Sequence, residues 1–358
     1  MPKKKTSSTA SHSVSKSEIT NLKSIDSLKK KRNEPIVISK LVKNLINQDI
    51  SALSKAITLI ESKSPKHSKK AKLLLEACLP HANRSIRIGI TGVPGVGKST
   101  FIEAFGTYLT GLGKRVAILA IDPSSSISKG SILGDKTRME ALVKDKKAFI
   151  RPSATGESLG GTARTTRESV VLCEAAGYDI IIIETVGVGQ SETKVRGMVD
   201  FFLLLKLAGA GDELQGIKRG IIELADAIAI NKSDGNNVKA ALFAMKEFKR
   251  ALHLFPARDS GWFPKVITCS ALRNEGISNI WNMITEYVEL TRNNGYFDKI
   301  RQEQNKTWLI QTIESRLKSR FFNADIIKKA LPEQLDLIEK NKITPFAAAD
   351  YLLSLSEM

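Results

Sequence analysis

The stretch GVPGVGKST, residues 92–100, decides the fold. It matches the pattern G-x-x-x-x-G-K-[ST] in full, and it lies between a mostly apolar run (86–90) and a helix-forming run (101–109). In such a loop, successive backbone N–H groups surround the β-phosphate of a nucleotide, and the lysine reaches the β- and γ-phosphates. The stretch therefore predicts a nucleoside triphosphate site between a strand and a helix.

Each position of this loop has an expected part in binding. Lys98 is the predicted catalytic cation, the Ser99 hydroxyl is a predicted Mg²⁺ ligand, and the helix that begins near Lys98 directs its positive end at the phosphates. The predicted phosphate-binding residues are Gly92, Val93, Pro94, Gly95, Val96, Gly97, Lys98, Ser99 and Thr100.

A second motif indicates the base. Asn231, Lys232 and Asp234 form an N-K-x-D pattern directly after the apolar run 227–230. The Asp234 carboxylate can accept hydrogen bonds from N1–H and the exocyclic amine of guanine, whereas adenine leaves that carboxylate unpaired.

The base pocket is predicted to include a second loop. Ser270, Ala271 and Leu272 follow the strand-like run 266–268, and a backbone N–H of this loop can meet the guanine O6. The two loops together predict GTP rather than ATP.

Hydrophobic periodicity predicts the architecture. Short apolar runs alternate with helical stretches between residues 84 and 292, which is typical of an α/β, doubly wound, mostly parallel sheet. The predicted strands are Ile86–Thr91, Val116–Ile121, Ala148–Ile150, Ile180–Glu184, Phe201–Leu207, Ala227–Ile230 and Val266–Thr268.

Helical segments extend this predicted core at both ends. We expect a disordered basic extension at 1–35, N-terminal helices at 36–83, the nucleotide-binding domain at 84–295 and C-terminal helices at 296–358. The C-terminal helices are too few for a core of their own, so they either pack back on the domain or pair with a second subunit.

The net charge of +18 divides into two parts. Residues 1–32 hold nine Lys/Arg and two Asp/Glu, which contributes +7 and leaves +11 for the rest of the 358 residues. We expect a solvated basic surface rather than a nucleic-acid groove, and no membrane partner. The first segment lacks an apolar signal region, which favours a cytoplasmic protein; a mitochondrial import signal is the alternative.

Carboxylates for Mg²⁺ are expected at strand ends. Glu184 opens an E-x-x-G pattern after strand four, Asp122 closes strand two, and Asp135 lies in the following loop. The alternatives are an Asx-turn for Asp122 and a helix N-cap for Asp135. Gln190 either orients the attacking water or belongs to a mobile segment.

The sequence shows no evident arginine finger, the group that stabilises charge on the transferred phosphoryl group. Arg138, Arg151 and Arg164 are the candidates within the chain, and an equivalent group supplied by a partner is the alternative.

Several longer motifs resemble one family. DPSSS (122–126), KGSILGDKTRM (129–139), LGGTARTTRE (159–168), ETVGVGQSE (184–192) and GAGDELQGIKRG (209–220) are similar to the MeaB/ArgK/MMAA-type GTPases of the SIMIBI class. The resemblance implies a slow, homodimeric GTPase that acts on a cobalamin-dependent acyl-CoA mutase of the methylmalonyl-CoA mutase type. In this family the GTPase gates the loading of cobalamin, which the mutase carries, and helps to exchange the inactivated cofactor.

The resemblance also implies roles for particular residues. Asp122, Asp135 and Glu184 belong to the Mg²⁺ and switch machinery, and the glycine-rich loop 208–219 resembles an additional switch. Within that loop the residues that relay the nucleotide state to the mutase are Asp212, Gln215 and Lys218.

Two other functions stay open at this point. A nickel-insertion GTPase needs thiolate or imidazole ligands near the switches, and Cys173 alone is a poor metal site. A kinase for a transport system needs a phosphoacceptor and a base to take its proton, and the sequence identifies neither.

Overall fold

The computed structural model describes residues 36–62, 64–121, 139–152, 159–185, 191–209, 219–256 and 258–356. Its centre is a parallel sheet with strand order β3-β2-β4-β1-β5-β6-β7. The strands are β1 (Ile86–Gly92), β2 (Val116–Ile121), β3 (Ala148–Arg151), β4 (Ile180–Thr185), β5 (Phe201–Leu207), β6 (Ala227–Asn231) and β7 (Lys265–Thr268). The predicted α/β fold is confirmed, and each predicted strand lies within a residue of its expected bounds.

Helices flank and extend this sheet. Within the described ranges they are α1 (Ile38–Ile46), α2 (Ile50–Glu61), α3 (Pro65–Cys78), α4 (Lys98–Gly111), α5 (Glu140–Lys144), α6 (Leu159–Ala175), α7 (Ser191–Arg196), α8 (Arg219–Leu224), α9 (Val238–Leu252), α10 (Ile277–Asn293), α11 (Tyr296–Asn323), α12 (Asp325–Glu339) and α13 (Pro345–Ser356). The last helix begins with a side-chain cap, because the Thr344 hydroxyl accepts a hydrogen bond from the backbone N–H of Ala347 at 3.2 Å.

Both faces of the sheet are buried, as β4 illustrates. Its isoleucines alternate between two cores: Ile180 and Ile182 face one, while Ile181 and Ile183 face the other. The first core includes side chains of α4, α5 and α10, and the second includes side chains of α1, α2, α3, α6 and α9. A strand that is covered on both faces has to be apolar throughout, which explains the continuous isoleucine run.

The order of the strands determines where in the sheet the predicted nucleotide site lies. Strand β1 pairs with β4 on one side and with β5 on the other, so the direction of the crossovers reverses at β1. Ligands of open α/β sheets bind outside the carboxyl ends of the strands at such a switch point. Because residues 92–100 follow β1 directly, the predicted phosphate loop lies at this crevice.

A buried ionic cluster lies near the opposite, amino edge of the sheet. Arg87 of β1 donates from Nε to Glu174 of α6 at 2.9 Å, and Arg301 of α11 donates from Nη2 to Asp200 at 2.7 Å. The Asp200 carboxylate also accepts the backbone N–H of Arg87 at 2.8 Å. Helix α11 is thereby fixed to the first and fifth strands by charge-assisted hydrogen bonds.

Beyond this anchor, α11 to α13 expose many large apolar side chains. Those with at least 44% of their surface exposed are Leu309, Ile310, Ile313, Leu317, Phe322, Ile326, Leu335, Phe346, Tyr351 and Leu353. Among the described residues, no helix combines the length and the apolar character needed to cross a bilayer.

The Arg301–Asp200 pair is expected to stabilise the fold strongly. Arg301→Met leaves the buried Asp200 carboxylate without its cation, and breaking such a pair costs about 3–5 kcal/mol. Urea denaturation measures the loss of unfolding free energy. Arg250→Met is the matched control, because the Arg250–Glu247 pair lies on the surface and its loss changes stability little. Equal stability of the two variants would contradict this role of Arg301.

Candidate functional site

The phosphate loop is shaped by glycines that tolerate no side chain. A Cβ at Gly92 would lie 2.6 Å from the carbonyl oxygen of Leu205 on β5. Gly97 has a φ of +92°, immediately before α4, and a Cβ there would lie 2.9 Å from Nδ2 of Asn231. Glycine is therefore required at both positions by close approach and by a positive φ, which is +157° at Gly92.

Lys98 is the first residue of α4, and its ammonium group lies against the loop that precedes it. Its Nζ donates to the carbonyl oxygens of Gly92 at 2.8 Å and Val93 at 3.3 Å. The side chain thus folds back over the concave side of the loop, where a phosphate anion attracts the same ammonium group.

Asn231, the last residue of β6, ties the phosphate loop to a second loop. Its Nδ2 donates to the Val96 carbonyl at 2.8 Å, and its Oδ1 accepts the backbone N–H of Ala271 at 3.1 Å. The same oxygen lies 3.6 Å from the thiol of Cys269. With only 1% of its surface exposed, the side chain makes protein contacts at both ends.

Asp234 and Ser270 meet where the two predicted base-binding loops converge. The buried Ser270 hydroxyl donates to Oδ2 of the half-buried Asp234. Backbone bonds align the loops as well, since Ser233 N–H donates to the Cys269 carbonyl at 3.0 Å. Lys232 and Leu272 lie on the exposed side of these loops, and Leu272 is 79% exposed.

Glu184 lies next to the phosphate loop because of strand pairing. It is the penultimate residue of β4, opposite Ile90 on β1, and 9% of its surface is exposed. The adjacent Thr185 hydroxyl donates to the Thr91 hydroxyl at 2.7 Å, and both threonines are buried. This pair was not predicted, although each threonine ends an apolar run and so marks the carboxyl edge of the sheet.

The remaining predicted site residues lie outside the described ranges. They are Asp122, Asp135, Gln190, Asp212, Gln215 and Lys218. Arg138, an arginine-finger candidate, lies outside these ranges as well, whereas Arg151 pairs with Glu61 of α2 and Arg164 lies 3.2 Å from Glu168.

The three cysteines are all buried and free. Burial raises the pKa of Cys78 to about 11 and that of Cys269 to about 12, and it also raises the pKa of Cys173. Since metal ligation requires the thiolate, these thiols are poor ligands at neutral pH. Within the described part of the chain, no three His, Cys, Asp or Glu residues group as a metal site.

Comparison with known proteins matches this sequence to one family. The family model described as "Methylmalonyl Co-A mutase-associated GTPase MeaB" matches residues 53–325. The mouse protein named "Methylmalonic aciduria type A homolog, mitochondrial" is 44% identical over 326 residues, which cover 88% of this chain and 79% of that protein. "GTPase ArgK" of Escherichia coli is 42% identical over 308 residues, which cover 86% and 93% of the two chains.

A solved structure shares the fold over nearly the whole chain. The crystal structure of a protein named "LAO/AO transport system kinase" has a TM-score of 0.71 and 35% sequence identity, and the match covers 90% of this chain and all of that one. The chain therefore belongs to the MeaB family of methylmalonyl-CoA mutase-associated GTPases.

Proposed function

We propose that this GTPase binds GTP with Mg²⁺, hydrolyses it, and uses the cycle to gate cobalamin loading into a methylmalonyl-CoA-type mutase and to protect or reactivate that enzyme. The observation that carries the nucleotide part is the double hydrogen bond of Asn231, which joins the phosphate loop to the loop at 270–272. The family name supports the mutase as partner.

Guanine is recognised by Asp234 in this proposal. Its carboxylate accepts from N1–H and the exocyclic amine of the base, while Ser270 holds the carboxylate in place from the other side. The backbone N–H of Leu272 lies in the loop that faces the guanine O6, while the Ala271 N–H is bonded to Asn231. A carboxylate that is already oriented by the protein loses little entropy when the base binds.

Hydrolysis depends on positioning and on charge stabilisation. The backbone N–H groups of the loop, which Pro94 lacks, surround the phosphates. Lys98 exchanges its bonds to the Gly92 and Val93 carbonyls for bonds to the β- and γ-phosphates. This exchange keeps the ammonium group hydrogen-bonded in both states. The positive charge is therefore oriented before the phosphoryl group begins to leave.

The described residues fit a magnesium ion. Mg²⁺ prefers hard oxygen ligands, and the Ser99 hydroxyl and Glu184 carboxylate supply them at the first turn of α4 and the end of β4. Asp122 and Asp135 are the further candidates. When bound, the ion neutralises charge on the β- and γ-phosphates. The Thr91–Thr185 hydrogen bond holds the strand end that carries Glu184 against β1.

Partner coupling is assigned to the segment 208–219, in which Asp212, Gln215 and Lys218 relay the nucleotide state to the mutase. The apolar side chains exposed on α11 to α13 support a homodimer formed through these helices. We place the protein in the cytoplasm; the mouse relative is named a mitochondrial protein, which keeps the mitochondrial matrix as the alternative.

A second candidate function is phosphoryl transfer to a transport protein, which is favoured only by the name of the protein in the similar crystal structure. Hydrolysis and transfer differ in the fate of the γ-phosphate. A hydrolase releases it as inorganic phosphate, whereas a kinase leaves it on a protein hydroxyl.

Lys98→Ala is expected to abolish measurable hydrolysis, because removing one charge-stabilising donor costs about a hundred- to a thousandfold in turnover. The measurement follows γ-labelled GTP into inorganic phosphate and into protein. Lys114→Ala, at an exposed lysine after α4, is the matched control and keeps full turnover. Label that accumulates on protein instead of in phosphate would favour the kinase.

A stoichiometric cobalamin-dependent acyl-CoA mutase is expected to stimulate turnover about tenfold or more, which is roughly 1.4 kcal/mol off the barrier. Lys218→Ala should lose most of this stimulation while basal turnover stays near that of the wild type, because Lys218 belongs to the relay. Steady-state phosphate release with and without the mutase measures both quantities. Turnover that does not respond to the mutase would remove it as the partner and leave the GTPase intact.

A further inference from the structure

A cavity of about 200 Å³ lies between α6, α11 and residues 197–198, which directly follow α7. Its wall includes Arg87 and Asn83 at the start of β1, so it lies near the amino edge of the sheet, away from the phosphate loop. The side chains that matter for its chemistry are Arg167 on α6 and Gln304, Asn305 and Trp308 on α11.

Arg167 brings a buried positive charge to this wall. It is 8% exposed, and its guanidinium donates to Oε1 of Gln311 at 2.7 Å and to the Gly197 carbonyl at 3.4 Å. Its Nε is buried with no hydrogen-bond partner. Both of its partners are neutral, and no carboxylate of the described residues lies within ion-pair distance of it.

Nearby charges do not compensate Arg167. The carboxylate of Glu174 is taken by Arg87, which also lines the cavity, and Glu168 pairs with Arg164. Burial lowers the pKa of Arg167, and no neighbouring carboxylate acts against this shift. Because an uncompensated buried charge costs several kcal/mol, such an arginine indicates that an anion belongs beside it.

Gln304 adds a second polar group, whose Nε2 carries two N–H donors. One N–H donates to the Val199 carbonyl at 2.8 Å, which leaves the second N–H for a ligand. The Oε1 atom is buried without a hydrogen-bond partner and, as an acceptor, it can bond only to a donor. The wall also carries apolar side chains, among them Val170, Val171 and Met198, beside the polar side chains of Asn83, Arg87 and Asn305. A charged group, an amide and apolar walls together are typical of sites for small organic ligands.

We propose that this cavity is a binding site for a short-chain carboxylate, with Arg167 as the cationic anchor, the second N–H of Gln304 Nε2 as a further donor to the carboxylate, and the apolar side chains of the wall around the alkyl chain. The volume suits such a ligand, because a water molecule takes about 30 Å³ and the cavity of about 200 Å³ therefore has room for about seven. A ligand here touches α6, α11 and residues 197–198 at once. It would bridge the segment that follows α7 and the helix that leads to the C-terminal segment.

Trp308 provides a local reporter, since it lines the cavity while Trp262 and Trp281 are buried in the core. The experiment titrates butyrate into the full-length protein at constant ionic strength and follows tryptophan fluorescence. Butyramide is the uncharged control of nearly the same shape. The site predicts a saturable change with butyrate that is absent with butyramide and absent in Trp308→Phe.

Two variants test the cationic anchor and the exposed edge of the cavity separately. Arg167→Met removes the charge, and Asn305→Phe blocks the exposed edge of the cavity without touching Arg167. Each should weaken butyrate binding at least about tenfold, while Arg250→Met, at an exposed arginine, leaves it unchanged. If Arg167→Met fails to fold, the butyrate affinity of Asn305→Phe still tests the proposal.

Three results would overturn the proposal: equal responses to butyrate and butyramide, full binding by Asn305→Phe, or a folded Arg167→Met that binds normally. Isothermal titration calorimetry of the same samples checks each affinity independently of fluorescence. An equally strong response to sulfate would also overturn it, because the site would then select charge alone and not a carboxylate with an alkyl chain.

Discussion

The buried amide of Asn231 is the contact on which the candidate nucleotide site depends. Only one strand, β5, lies between β1 and β6 in the sheet. The end of β6 is therefore close to the phosphate loop, which follows β1. Across that gap, one side chain donates to the Val96 carbonyl and accepts from the Ala271 N–H. Gly97 has to lack a Cβ because the same amide nitrogen occupies the space. The loop, its glycine and the base-binding segments therefore form one hydrogen-bonded unit.

The two edges of the sheet differ in their polar groups. At the carboxyl edge the loops carry hydrogen-bonding groups that a nucleotide can use. At the amino edge the charges of Arg87, Glu174, Asp200 and Arg301 neutralise one another and hold α11 in place. Arg167 lies close to this second group but has only neutral partners, which is why the cavity beside it differs chemically from the rest of that edge.

The sequence predicted the sheet well because strands that are buried on both faces have to be apolar throughout. The runs at β2 and β4 have this character and match their observed bounds closely. The motif residues from Gly92 to Thr100 and from Asn231 to Asp234 also lie at strand ends, as expected. Asp122, Asp135, Gln190 and the residues of segment 208–219 lie outside the described ranges, so their roles stay predictions, as do the domain bounds.

Other features could not be read from the sequence. The ion pairs of Arg87 and Arg301 join residues 87 and 101 positions apart from their partners, and no local pattern indicates such distant pairing. The motif predicts Asn231 as part of the GTP site, yet only the structure reveals that both ends of its amide contact protein. Arg167 lies within a motif of the family resemblance, but its burial depends on α11, whose position is set by tertiary contacts.

The most direct test of this account is the affinity of Asn231→Ala for GDP, measured by calorimetry beside the wild type and Asn323→Ala. Asn323 is an exposed asparagine at the end of α11, and its amide donates to Ser319 of the same helix. Asn323→Ala therefore controls for the loss of an amide side chain as such. If Asn231 holds the two halves of the site together, its alanine variant binds GDP at least about tenfold more weakly, or 1.4 kcal/mol. A folded Asn231→Ala protein that binds GDP as tightly as the control would contradict the account.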